Sequence, residues 1–188
     1  MSECLHQLLH GSFLRFVFDG NEPFAVLLGD TLISSNAPAT KQLMDVFDRC
    51  NAPVVLIEEI DRSKVERYGV VSGNEVEKGL YKVDDFIEKP TVEEAPSNLA
   101  VAGRYILTAD IFEYLDTIEP GKNGELQLTD AVRLMLSDRA MYGLRLDGKR
   151  HDIGNKQGFI ETNIEFALRR EDMSQELREY IKRLAKDL

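Results

Sequence analysis

Between Phe24 and Ile57 the hydrophobic pattern changes period twice, and no other feature limits the fold of this chain as strongly. Phe24-Ala-Val-Leu-Leu28 is a continuous apolar run, opened by Asn21-Glu22-Pro23 and closed by Gly29. Such a run between turn signals predicts a strand buried on both faces. Asn36-Ala37-Pro38 supplies a helix start, with Asn36 as cap and Pro38 in the first turn. Leu43, Val46, Phe47 and Cys50 then recur at helical spacing on one face. Asn51-Ala52-Pro53 stops that helix, and Val54-Val-Leu-Ile57 is a second buried strand. Strand, helix, strand with short connections predicts a βαβ unit whose strands run parallel. Asp30 falls just past the end of the first strand, where open α/β sheets place ligands. A carboxylate there is either a turn cap or a group that must be paired or hold a metal.

The remaining chain alternates in the same way. Tyr68 to Val71 reads as a short strand followed by a turn at Ser72-Gly73-Asn74. Leu80 to Ile87 reads as a strand on the edge or outside of the sheet, and Pro90 biases Lys89 toward an extended backbone. Leu99 to Leu107 is a strand whose Gly103 marks close backbone approach. Thr108 is placed to cap a helix carrying Ile111, Phe112 and Leu115. Leu128, Ala131, Val132 and Met135 predict another helix, and Met141 to Leu146 a further strand with a turn at Asp147-Gly148. Asn155 caps a helix with Ile160, Ile164, Ala167 and Leu168. Met173, Leu177, Tyr180, Ile181 and Leu184 form the stripe of a last helix, to be covered by its own domain or by another subunit. The sum is an α/β domain with a mixed, mostly parallel sheet and helices on both faces.

With 23 Lys plus Arg against 33 Asp plus Glu, the formal net charge of −10 argues against a nucleic-acid partner. No stretch is long and apolar enough to span a membrane. The apolar patch from Phe13 to Phe18 is interrupted by Arg15 and ended by Asp19, which is poor signal-peptide grammar. Cys4 and Cys50 make no disulfide framework and suit a reducing compartment, so a cytoplasmic location is the default. His6 and His10 have the spacing of a metal pair but no third ligand beside them.

Four short pieces stand at strand ends or turns: Gly29-Asp30, Tyr68-Gly69-Val70, Glu88-Lys89-Pro90 and His151-Asp152-Ile153-Gly154-Asn155. With the surrounding Leu27–Ile33, Pro96–Tyr105 and Gly124–Asp130, they closely resemble, in order and spacing, the bacterial and archaeal UTP–glucose-1-phosphate uridylyltransferases, or UDP-glucose pyrophosphorylases. The resemblance runs from about Pro23 to about Phe166. It implies a Rossmann-like, glycosyltransferase-A type fold and a Mg²⁺-dependent reaction of UTP with glucose 1-phosphate, giving UDP-glucose and pyrophosphate. By the same resemblance Asp30 and Asp152 hold the magnesium. Glu88 accepts hydrogen bonds from sugar hydroxyls, Lys89 binds the phosphate, and the Gly69 backbone lies against the sugar. Asn98 and Gly103 line the same pocket, and His151 is structural. Relatives assemble as dimers or tetramers, which implies a homo-oligomer.

The family's glycine-rich Gly-x-Gly-Thr-Arg loop and lysine run, which bind UTP, have no counterpart in these 188 residues. Its Gly-Leu-Gly-His segment falls near Leu8, Leu9 and His10, where the glycines are missing. The expectation is therefore a single N-terminally truncated domain that is weak or inactive alone. Residues 1–20 are an atypical start, 21–170 the sugar-phosphate and metal-binding part, and 171–188 a C-terminal helix. A non-catalytic sugar-nucleotide-binding or assembly subunit, or a structural remnant of the fold, are the alternatives.

Overall fold

The computed structural model describes residues 22–120 and 126–186. The segment 1–20, with His6, His10 and Cys4, lies outside the described residues. In chain order the elements are β1 (Phe24–Leu27), β2 (Thr31–Ser34), α1 (Ala39–Cys50), β3 (Val54–Glu59), a 3-10 turn at Arg62–Arg67, β4 (Gly69–Glu77), β5 (Leu80–Glu88) and β6 (Leu99–Leu107). Helices α2 (Ile111–Leu115) and α3 (Leu128–Met135) follow, then β7 (Tyr142–Arg145), β8 (Lys149–Asp152), α4 (Lys156–Ala167) and α5 (Ser174–Leu184).

Six strands form one sheet in the order β1-β6-β3-β7-β5-β4, and β2 and β8 form a separate two-stranded ribbon. The sheet is mixed, as expected, but not mostly parallel. Among the described residues only β3 and β7 pair in parallel, while β1–β6, β3–β6, β5–β7 and β4–β5 are antiparallel. The direction expected for the βαβ unit holds, since β1 and β3 both run against β6 and so point the same way. Their adjacency does not, because β6 is inserted between them. This also corrects the reading of β1 as a strand buried on both faces. Among the described residues its only sheet neighbour is β6, and its four residues are half-buried or exposed.

Alternation along β3 shows how two helical layers are served. Val54 and Leu56 pack with Ala39, Leu43 and Val46 of α1 on one face. Val55 and Ile57 pack on the other with Ile111 and Leu115 of α2 and Ala131, Val132 and Met135 of α3. A strand covered on both faces has no polar side, which is why it reads as an unbroken apolar run.

Several local expectations give way to tertiary contacts. Helix α1 starts at Pro38 with no side-chain cap, so Asn36 does not cap it. The Thr108 hydroxyl donates to Asp110, which also pairs with Arg139, and so is not spent on the N-terminus of α2. Ser72-Gly73-Asn74 is no turn. β4 runs through it to Glu77 with a register shift at Ser72/Gly73, and the hairpin closes around Gly79, whose φ is +76°. A side chain at Gly73 would put its Cβ 2.2 Å from the Lys82 carbonyl oxygen, so here the glycine serves close strand approach. β5 lies between β7 and β4 and is no edge strand.

Candidate active site

One edge of β6 is shared. β1 pairs with it from Arg104 to Leu107, and β4 pairs with it only at Ala100 and Leu99. Between them neither strand pairs at Val101 and Ala102, while the Gly103 carbonyl accepts from Leu28 N–H at 3.0 Å. There β1 leaves toward Asp30 and the chain returns through Tyr68 into β4. This split is the mouth of a cleft of about 370 Å³, bordered by Asp30, Tyr68, Gly69, Glu88, Lys89, Gly103, Asp152 and Gly154 among others. Open ends of strands leave backbone and side chains free to meet a ligand.

The turn that carries Asp30 is held from below. Gly103 has φ +65°, and a Cβ on it would sit 3.1 Å from Thr31 Oγ1 and 3.4 Å from Leu28 Cβ. The close backbone approach expected at this glycine is therefore the packing of the 28–31 turn onto β6. The neighbouring Arg104 is buried and donates to the carbonyls of Leu28 at 3.0 Å, Gly103 at 2.8 Å and Thr31 at 2.6 Å. Burial pulls the Arg104 pKa down, and the Asp30 carboxylate pulls it back up.

Asp152 reaches the same place along the β2–β8 ribbon, where it lies opposite Thr31, and Ile153 N–H donates to the Asp30 carbonyl at 2.9 Å. The ribbon brings Asp30 and Asp152 to either side of Gly154. A Cβ at Gly154 would lie 3.2 Å from Asp30 Oδ2 and 3.4 Å from Asp152 Oδ1, so both oxygens border one small space that a side chain would fill. Hard carboxylate oxygens around such a gap suit Mg²⁺, which typically takes one or two carboxylates and completes its shell with phosphate and water. No group of three or more His, Cys, Asp or Glu able to hold a metal occurs among the described residues, so the protein side of this donor set is two carboxylates.

Across the cleft, Gly69 pairs with Glu88 at the end of the β4–β5 hairpin. Glu88 Oε2 accepts from the Thr129 hydroxyl of α3 at 2.6 Å, which fixes the carboxylate at the cleft wall. Thr129 is buried and was not singled out from sequence, although it stands inside the Gly124–Asp130 phrase. Lys89 Nζ lies 3.6 Å from Glu88 Oε1 on a side chain that is 62% exposed. That separation leaves the ammonium free to take a ligand. Contrary to the extended backbone expected before Pro90, Lys89 has φ +44°. Its N–H extends the open end of the β4–β5 ladder by donating to the Tyr68 carbonyl at 3.1 Å, and this contact outweighs the local preference. Tyr105 also borders the cleft, and burial, with Glu88 and Asp30 nearby, pushes its phenol pKa up.

Asn98 lands differently from its expectation, whereas His151 is structural as expected. Asn98 does not line the cleft, because its amide donates to Glu59 Oε1 at 3.1 Å at the start of β6. His151 is buried, bonded to Ser34 Oγ at 3.0 Å, and set edge-on to Phe166 at 5.2 Å. Burial lowers its pKa against the pull of Glu165, so it is a neutral packing residue beneath the ribbon. Asn155 caps α4 as read, accepting from Gly158 N–H at 2.8 Å. A Cβ at Gly158 would lie 2.0 Å from the Asp152 carbonyl oxygen, so the first turn of α4 packs directly against the strand that carries Asp152.

Residues 12–168 match the profile of the nucleotidyl transferase family. The chain is 48% identical over 167 residues to UTP–glucose-1-phosphate uridylyltransferase of Staphylococcus epidermidis, covering 89% of this chain and 58% of the relative. It is 43% identical over 177 residues to UTP–glucose-1-phosphate uridylyltransferase 1 of Staphylococcus saprophyticus, covering 94% and 62%. Its backbone superposes on a crystal structure of UDP-glucose pyrophosphorylase complexed with UDP-glucose with a TM-score of 0.78 at 44% identity, covering 80% of this chain and 58% of that one. UDP-glucose pyrophosphorylase from Acinetobacter baumannii gives a TM-score of 0.75 at 28% identity. The chain thus spans about three-fifths of the length of these relatives.

Proposed function

Since the chain belongs to the nucleotidyl transferase family, we propose that the protein transfers a uridylyl group from UTP to glucose 1-phosphate, releasing pyrophosphate and forming UDP-glucose with Mg²⁺. The observation that carries this reading is the meeting of Asp30 and Asp152 at Gly154 across one cleft from Glu88 and Lys89. A phosphate oxygen of the sugar phosphate bonds to the α-phosphorus of UTP as the bond from that phosphorus to the leaving pyrophosphate breaks. A bound Mg²⁺ neutralises charge on the transferring phosphoryl group. Asp30 and Asp152 are the residues that would hold it. Glu88, fixed by Thr129, accepts from sugar hydroxyls, and one carboxylate can take two such donors. Lys89 is a compact cation for the sugar phosphate, Gly69 keeps the wall beside Glu88 bare of a side chain, and Gly103 lines the pocket while seating the turn that carries Asp30. Calorimetry of the chain with UDP-glucose and Mg²⁺ tests the assignment, with Mg²⁺-dependent binding expected; no binding refutes it.

Lys89→Ala is expected to weaken UDP-glucose binding roughly 10- to 150-fold. That is the loss of one charge-assisted hydrogen bond of about 1.5–3 kcal/mol. Unchanged affinity in the same titration removes Lys89 from the phosphate site.

The reading extends to assembly, with 21–170 carrying the site and 171–188 the contact. Helix α5 buries none of its residues, and Met173, Tyr180 and Leu184 are 41%, 53% and 48% exposed. An uncovered stripe of this kind is met by a second copy of the chain in a homo-oligomer. Light scattering at micromolar concentration is expected to give a dimer or larger species, and a monomer sinks the assignment. No helix among the described residues is long and apolar enough to cross a membrane. With Cys50 a free thiol, the cytoplasm is the proposed location, which cell fractionation checks by finding the protein with the soluble contents.

A further inference from the structure

Of the Tyr68-Gly69-Val70 piece, the proposed chemistry uses only Gly69. Yet the Tyr68 side chain spans the cleft. Its hydroxyl donates to Asp152 Oδ2 at 2.8 Å. The other oxygen, Oδ1, accepts from Gly154 N–H at 3.0 Å and is the one that borders the space shared with Asp30. These two bonds fix the plane of the carboxylate. Without the hydroxyl, one donor would remain, and the group could turn about it.

Tyr68 is itself held at two further points. The Arg150 guanidinium stacks over its ring, 4.0 Å from the centroid. Arg150 is 7% exposed along its side chain and pairs through Nε with Glu58 of β3. The Tyr68 carbonyl accepts from Lys89 N–H. A partly buried ion pair thus braces an aromatic ring, the ring braces a carboxylate, and the same backbone unit anchors the phosphate-binding hairpin.

We infer that Tyr68 is a positioning residue for the divalent cation: its hydroxyl, braced by Arg150 and Glu58, orients Asp152 so that Oδ1 faces Asp30. The inference rests on the assignment of Asp30 and Asp152 as metal carboxylates. Partners of this kind, one bond removed from a ligand, command about 10- to 100-fold in metal affinity. The test is Mn²⁺ titration of the full chain with UDP-glucose present, followed by electron paramagnetic resonance, for wild type, Tyr68→Phe and Asp152→Asn. Phenylalanine keeps the ring under Arg150, so circular dichroism and the melting temperature without metal are expected to match wild type.

Tyr68→Phe is expected to weaken Mn²⁺ binding about 10-fold or more and to change the shape of the bound-metal spectrum, effects that a purely structural ring would not produce. Asp152→Asn is expected to weaken it by more than about 100-fold. If Asp152→Asn weakens Mn²⁺ binding that far while Tyr68→Phe binds within twofold of wild type, the role of Tyr68 is overturned and the metal assignment stands. If wild type binds no Mn²⁺, or Asp152→Asn binds as wild type does, the metal assignment falls and takes this role with it.

Discussion

Asp152→Asn is expected to raise the dissociation constant for Mg²⁺ or Mn²⁺ by more than about 100-fold, beyond what a partner outside the coordination shell commands. The change is nearly isosteric. The amide oxygen can keep the bond from Gly154 N–H, and the Tyr68 hydroxyl can still meet the amide. Fold stability in chelator is therefore expected within about 0.5 kcal/mol of wild type. Two carboxylates facing one gap repel each other when no cation lies between them, so removing one charge costs nothing on that account. The difference appears only with metal. At a cation concentration of about 100 times the wild-type dissociation constant, wild type gains about 2.7 kcal/mol, and a variant binding 100-fold more weakly gains about 0.4 kcal/mol. For a domain of this size the gap is roughly 5–9 °C in melting temperature. Thermal unfolding with and without Mg²⁺ and UDP-glucose reads it directly. An equal metal-induced shift in both proteins would remove Asp152 from the metal site.

Phe86→Ala is expected to cost about 3–5 kcal/mol, a large part of a total stability of about 5–15 kcal/mol. Phe86 is 1% exposed in the cluster that joins β3, β4, β5 and β6 to α2 and α3. It lies opposite Val71 in the hairpin, and its ring edge would be 3.0 Å from a Cβ at Gly69. The lost ring leaves a cavity beneath the wall that presents Gly69 and Glu88, so loosened sugar-nucleotide binding should accompany the lost stability. Phe159, 53% exposed on α4, is the matched control, and Phe159→Ala is expected to change stability by less than about 0.5 kcal/mol. Denaturant unfolding of both variants decides the matter, and a cost below about 1 kcal/mol for Phe86→Ala would contradict the packing described here.

The parts of the molecule readable in advance are those where local pattern and burial agree. Helix α1 shows one apolar face at helical spacing, and β3 shows an unbroken apolar run because both of its faces are covered. The four motif pieces were likewise visible as residues, and the structure sets Asp30, Gly69, Glu88, Lys89 and Asp152 around one cleft. The ribbon of β2 and β8 escaped notice. Thr-Leu-Ile-Ser and Lys-Arg-His-Asp carry no strand pattern of their own and become strands only by pairing with each other across more than a hundred residues. The length of β4 escaped for a related reason. Gly73 reads as a turn residue, and only the nearness of the Lys82 carbonyl makes glycine a requirement of the strand.

The layered α/β class and the residue types at the site are legible in the chain itself, because periodicity and local chemistry are properties of neighbours in sequence. Which strand lies beside which is settled only in the folded molecule. Inserting β6 between β1 and β3 opens the edge where the cleft forms, and no local pattern encodes that choice. The fold also decided the bonds that aim the charged groups. Tyr68 to Asp152, Thr129 to Glu88 and Arg150 to Glu58 join residues 84, 41 and 92 positions apart. Each such contact exists only after folding has offset the cost of closing the loop between its partners.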